Sequence, residues 1–357
     1  MRPAILLTVV TLGFLAMILG YRRWARPRIF WPALAVSSLC YCASLLDVNF
    51  RTIALKPDNL PITLMIFSTI FFLWVGLRRA AINDEHLERG LAIPEEGHDQ
   101  RVLTWPDLVY IELIAMVIGC GVLLAWAIVV KAPLEQPANP AYAPNPAKAP
   151  WYFLGLQEML VYFDPWMAGV VYPTLIIFGL CAIPYIDRSP QPAGYYTLRG
   201  RRFGVGAWLF GFLVLWVMLI VLGTFLRGPN WSFFGPFERW DPYKQEALNN
   251  IDLSQAWWTM LLGRSRPTAQ ANPVSWLPFW LVREWLGMSL MALYFFVVPV
   301  ILRKTILRGH YAAMGKWRYR VMVFLLLMMA LLPLKMVLRW LFNVKYFIYL
   351  PEFNANL

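Results

Sequence analysis

The chain has 357 residues, of which 59% are hydrophobic and 15% charged, and its mean hydropathy is +0.54. A soluble globular domain has no use for so much apolar surface, so the medium is a bilayer. The net charge of +12 does not mark a nucleic-acid partner, because the basic residues gather at the ends of apolar runs, where they set topology.

Apolar runs at 3–20, 30–46, 62–77, 107–130, 169–186, 205–226, 286–302 and 321–342 reach or approach spanning length. A hydrocarbon core of roughly 30 Å needs about 20 residues at 1.5 Å each. The pattern predicts an all-α polytopic membrane protein: about eight transmembrane helices and a short interfacial helix on the outer side. The first run is expected to be a retained span and not a cleaved signal. The connections 21–28, 78–105, 187–204 and 303–320 alternate onto one side. They carry the arginine clusters Arg22/Arg23/Arg26/Arg28, Arg199/Arg201/Arg202 and Arg303/Lys304/Arg308. The positive-inside rule puts these in the cytoplasm and both termini outside.

Between the fourth and fifth runs, prolines at 133, 137, 140, 144, 146 and 150 hold the chain extended. The breakers then stop, and 151–163 reads as a helix of about three turns, closed by Asp164-Pro165. Too short to span and rich in aromatics, it should lie along the outer interface. The connection 227–283 is the longest. Its Gly228-Pro229-Asn230-Trp231 and Phe233-Phe234-Gly235-Pro236-Phe237 runs suit a structured outer loop, with a second surface helix at 252–262 anchored by Trp257 and Trp258.

Cys40, Cys42, Cys120 and Cys181 all fall in apolar runs and read as buried structural thiols. His86, His98 and His310 fall in polar connections. Haem ligation inside a bundle needs facing imidazoles, so no metal site and no haem ligands are expected in this chain. Lys335 and Arg339, one turn apart in the outer third of the last run, are expected to snorkel to the surface, as is Glu112 near the inner end of the fourth. Pro173 and Pro184 read as helix kinks.

Four short motifs in order suggest a family. Trp105-Pro106-Asp107-Leu108-Val109-Tyr110 opens the fourth run, and Gln136-Pro137-Ala138-Asn139-Pro140 follows it outside. Pro150-Trp151-Tyr152-Phe153 comes next, and Ile183-Pro184-Tyr185-Ile186-Asp187 closes the fifth run. The series resembles the C-terminal part of cytochrome b, best seen in subunit IV of cytochrome bf complexes. The resemblance covers 104–226. The chain then divides into three extra helices (1–80), a cytoplasmic connection (81–104), the subunit IV-like domain (105–226), an outer loop (227–285), and two further helices with a tail (286–357).

The resemblance implies a haem-free subunit of a cytochrome bc-type quinol:cytochrome c-type oxidoreductase. Its partners would be a di-haem cytochrome b N-terminal-type subunit, which holds the b haems, and a Rieske iron–sulfur protein or a c-type cytochrome, multihaem forms included. Lipids of an energy-transducing membrane, such as a bacterial inner membrane, would surround it, and no nucleic acid would be involved. The substrate would be a quinol, menaquinol or ubiquinol, at a shared outer site, with Pro150, Trp151, Tyr152, Phe153 and Leu154 as the quinone-binding wall. The family motif has a proton-accepting glutamate where this chain has Pro150, preceded by Ala149. Proline offers neither a titratable group nor an N–H. Glu158, about two turns beyond Trp151 and on nearly the same helix face, is the replacement candidate as catalytic base. A salt-bridged interfacial carboxylate is the alternative for it, and Asp164 and Glu352 are further carboxylates on that side. A structural scaffold with an inactive quinone pocket is the second reading of the whole chain.

Overall fold

The computed structural model describes residues 3–98, 102–130, 137, 139–141, 143–188, 195–245, 250–353 and 355–357; Pro133, Gln136 and Ala138 of the sequence motifs lie outside them. Every apolar run is helical: α1 (Pro3–Leu19), α2 (Tyr21–Trp24), α3 (Pro27–Ser44), α4 (Val48–Ala54), α5 (Leu60–Glu88), α6 (Thr104–Val129), α7 (Trp151–Met159), α8 (Met167–Ile186), α9 (Arg202–Leu226), α10 (Trp285–Lys304) and α11 (Lys316–Phe342). Among the described residues, α5, α6, α8, α9, α10 and α11 are long and apolar enough to cross a membrane. The pair α3 and α4, bent by 111°, makes a seventh if counted as one span, and α1 has 17 residues. The protein is an all-α integral membrane protein.

Helix ends fall where the backbone demands them. Helix α5 runs past the apolar stretch to Glu88, because residues 78–88 include no Gly or Pro, and it stops just before Gly90 at φ +68°. Gly315 at φ +77° stands before α11, and Asn343 in the left-handed region ends it.

The chain forms two compact units. One comprises 20–144 and 192–200. Its helices α3 and α5 are joined by aromatic packing, Phe30 stacking on Trp74 at 4.2 Å. Its polar centre is Asp84, fully buried near the end of α5. The carboxylate accepts hydrogen bonds from the Tyr21 hydroxyl (2.8 Å), the Thr197 hydroxyl (2.5 Å) and the backbone N–H groups of Leu198 (3.1 Å) and Arg199 (2.9 Å). Beside it Glu88 accepts from both Arg22 and Arg199. Residues 21–22, 84–88 and 197–199 therefore meet at one end of this unit. Converting Asp84 to Asn replaces an acceptor by a donor facing these N–H and O–H groups. We expect a loss of about 1–1.5 kcal/mol, read as a lower thermal unfolding midpoint.

The other unit comprises 1–19, 145–191 and 201–357. Its apolar core runs through α7, α8, α9 and α11, with Tyr162, Phe163, Leu219, Leu222, Leu331 and Met336 fully enclosed. At one end Arg318 donates to the Tyr185 carbonyl, Arg201 pairs with Asp187, and the Phe203 and His310 rings meet at 4.6 Å. Residues 185–187, 201–203, 310 and 318 thus share that end. Residues 145–164, 227–245, 250–283 and 343–353 gather at the opposite end, the loop end, through the Asn145–Asn230, Ile251–Val344 and Tyr346–Asp164 contacts.

Two features depart from the sequence expectations. The four cysteines are free and exposed on the chain's own surface instead of buried. An apolar run fixes that a thiol avoids water, but lipid-facing and core-facing positions satisfy this equally. Lys335 and Arg339 do not snorkel: they are 1% and 6% exposed, because the tail folds back over the end of α11 and covers them. Glu112, by contrast, is exposed.

Candidate quinone-site wall and its buried ion pair

Helix α7 starts where the proline series ends, with Pro150 extended just before Trp151. It ends at Met159, one turn short of the span expected, because 160–163 continue as turns into Asp164. It lies on α9 through small residues. A Cβ on Gly223 would sit 3.4 Å from the Leu154 carbonyl oxygen, and one on Gly155 would sit 3.5 Å from Ile220, ordinary contact distances that place the two helices side by side.

The approach to α7 is fastened by Gln157. Its side-chain oxygen accepts from the Ala149 N–H and its amide donates to the Ala147 carbonyl, both at 2.8 Å. Lys148 donates to the Thr224 carbonyl at 2.8 Å and lies over the Trp240 ring at 4.9 Å. Asn145 bonds Asn230 in both directions. The extended segment is therefore held at both ends, and Pro150 to Phe153 have a defined position. Leu154 is buried; Trp151 is partly exposed and Tyr152 and Phe153 half-exposed, forming a contiguous ring surface (Trp151–Tyr152 5.7 Å, Tyr152–Phe153 4.7 Å). The Tyr152 hydroxyl makes no hydrogen bond among the described residues.

Glu158 points away from that surface. It is 0% exposed and forms an ion pair with Arg227. Arg227 donates from Nη2 to Oε1 (2.7 Å) and from Nε to Oε2 (3.0 Å), and reaches the Trp231 carbonyl with Nη1 (3.0 Å). Trp231 donates its indole N–H to Oε2 at 3.1 Å, and the Tyr162 hydroxyl donates to Oε1 at 3.1 Å. Burial, followed by the Glu158 charge, holds the Tyr162 phenol well above its usual range, so it remains a donor. Residues 228–231 make the tight turn that brings Trp231 back, with Asn230 and Trp231 at positive φ. The expectation that Glu158 shares an aromatic face with Trp151 is corrected: the carboxylate is drawn inward by a cation 69 positions away. Asp164 accepts weakly from Tyr346 and Asn356, and Glu352 is paired with Arg283, which keeps its carboxyl below the usual range. Arg227, Trp231 and Gln157 were missed as structural partners. A signal existed for Arg227, which follows an apolar run directly on the side where arginines are sparse.

The surface helix at 252–262 is present as Leu253–Gln255 continued by Ala256–Leu261. Among the described residues no group of three or more His, Cys, Asp or Glu is placed to hold a metal ion.

Residues 137–237 match the family model described as cytochrome b (C-terminal)/b6/petD. That stretch, under a third of the chain, is similar to the C-terminal part of cytochrome b. No solved structure matches the chain. The cytochrome b C-terminal match takes in the proline-rich approach, α7, α8, α9 and the turn after α9, and so both members of the Glu158–Arg227 pair. Lys335, Arg339 and the tail lie beyond it. The matching family comprises membrane subunits of bc- and b6f-type electron-transfer complexes. It implies partnership with a cytochrome b N-terminal-type subunit.

Proposed function

We propose that this chain forms part of the outer, positive-side quinol-oxidation site of a cytochrome bc-type complex, as a haem-free subunit. Pro150, Trp151, Tyr152 and Phe153 supply one wall, and Leu154, buried against Gly223 of α9, backs it from behind. Electrons leave quinol, menaquinol or ubiquinol, through partner subunits: the b haems of a di-haem cytochrome b, and a Rieske protein or a c-type, including multihaem, cytochrome. The observation that carries the reading is the fixed, half-exposed Trp151-Tyr152-Phe153 surface in the position of the family motif. Rings of this kind pack against a quinone head, and the free Tyr152 hydroxyl is a donor for its oxygen. Helix α6, with none of its residues buried in the chain alone, offers an apolar surface for the neighbouring cytochrome b or lipid.

As proton acceptor, Glu158 must give up Arg227 during turnover; as an anchor, it holds the 228–231 turn on α7. The donors already satisfying both of its oxygens favour the anchor. Trp151→Ala in the assembled complex should raise KM for quinol about 2- to 10-fold, the worth of one aromatic contact. Unchanged KM and unchanged binding of quinol-site inhibitors would favour the scaffold reading. Glu158→Gln separates its two roles: an acceptor shows a lost or shifted pH profile of turnover, and an anchor shows only lower stability.

A further inference from the structure

The buried charges at the loop end do not balance. Arg227, Lys335 and Arg339 are each at least nine-tenths buried, and the buried carboxylate beside them is Glu158. Both Glu158 oxygens are occupied by Arg227, Trp231 and Tyr162. Lys335 donates to the Lys345 carbonyl and sits among the Phe163, Tyr346 and Phe347 rings. Asp164 is turned to Tyr346 and Asn356, and Asp252 is paired with Arg266 and also lies close enough to favour the charge on Lys335, though not that on Arg339. Arg339 has no such partner: its side chain makes no hydrogen bond among the described residues, and its Nη1 is fully buried. Both Arg227 and Lys335 are close enough to act on it electrostatically, and each adds like charge. A buried guanidinium without an acceptor is strongly unfavourable, and two neighbouring cations make it more so.

We propose that Arg339 is the recognition group of an oxyanion site of phosphate chemistry at the loop end of α11, completed by the positive field of Lys335 and Arg227. A guanidinium suits this ligand because its planar fork matches two oxygens of one phosphate group. Arg339 lies one turn before Phe342, where α11 ends, so the site is at headgroup depth rather than mid-membrane. A phospholipid headgroup or a free inorganic oxyanion supplies the same chemistry. The proposal is independent of the quinone reading, since Arg339 lies outside the matched domain.

The test uses the purified complex with the full chain, as wild type, Arg339→Gln and Arg339→Lys. Native mass spectrometry and phosphorus analysis measure retained phospholipid. Thermal unfolding after delipidation, in inorganic phosphate against chloride at equal ionic strength, measures the free ion. About one retained phospholipid per chain, lost in Arg339→Gln and partly kept in Arg339→Lys, identifies a lipid; the near-integer count is expected because a buried fork holds one phosphate. A phosphate-specific rise in the wild-type midpoint, absent in Arg339→Gln, identifies a free oxyanion. The wild-type measurements stand even where Arg339→Gln does not fold. Absence of both retained phosphorus and phosphate-specific stabilisation in wild type overturns the proposal, as does a variant Arg339→Gln that equals wild type in both; water alone would then satisfy Arg339.

Discussion

Arg227→Met is expected to destabilise the protein by about 3–5 kcal/mol, and Glu158→Leu by a similar amount, because each leaves an unpaired charge in an enclosed site. The double variant should recover more than half of either loss, since two apolar side chains of similar volume leave no stranded charge. Recovery is incomplete because the Trp231 indole and the Tyr162 hydroxyl then lack their acceptor. Denaturant titration of the four proteins closes the cycle. Single-variant losses below about 1 kcal/mol would mean that the pair is screened by solvent, as surface pairs are.

Gly287→Ala is expected to loosen the tail. A Cβ at Gly287 would lie 1.8 Å from the Phe347 carbonyl oxygen, and backbone cannot step aside as a flexible side chain can. The tail must lift, which strains the Glu284 bond to the Tyr349 N–H and the Arg283–Glu352 pair. A cost of about 2–3 kcal/mol is expected for such overpacking, with faster amide exchange across 345–357. Gly309→Ala, where a Cβ meets nothing within 4 Å, is the control and should leave exchange in the tail unchanged.

What could be read from the sequence follows how far along the chain each interaction reaches. The helices were legible because apolar length is a local property, and α7 was legible because the proline series stops at Pro150. The family was legible because its motifs are short and ordered. The surroundings of Glu158 were not, since the decisive partner is Arg227 and no periodicity links positions 69 apart. Lys335 and Arg339 were misplaced for a related reason. Their depth along α11 is plain from the sequence, but whether the tail covers them depends on a turn at Asn343 and on Gly287 admitting Phe347. Asp84, amid Asn83 and Glu85, reads as a solvated connection until Tyr21 and Thr197 are seen to converge on it.

That convergence has a consequence for biogenesis. Asp84 is translated 113 residues before Thr197, so at about 5–20 residues per second its carboxylate waits roughly 6–23 s for its last donors. During that interval the early helices are already in the membrane with an anion at their rim that has Tyr21 but still lacks the donors of Thr197, Leu198 and Arg199. A nascent chain arrested before residue 197 should therefore be a preferred target of membrane quality-control proteases, and one released after residue 200 should not.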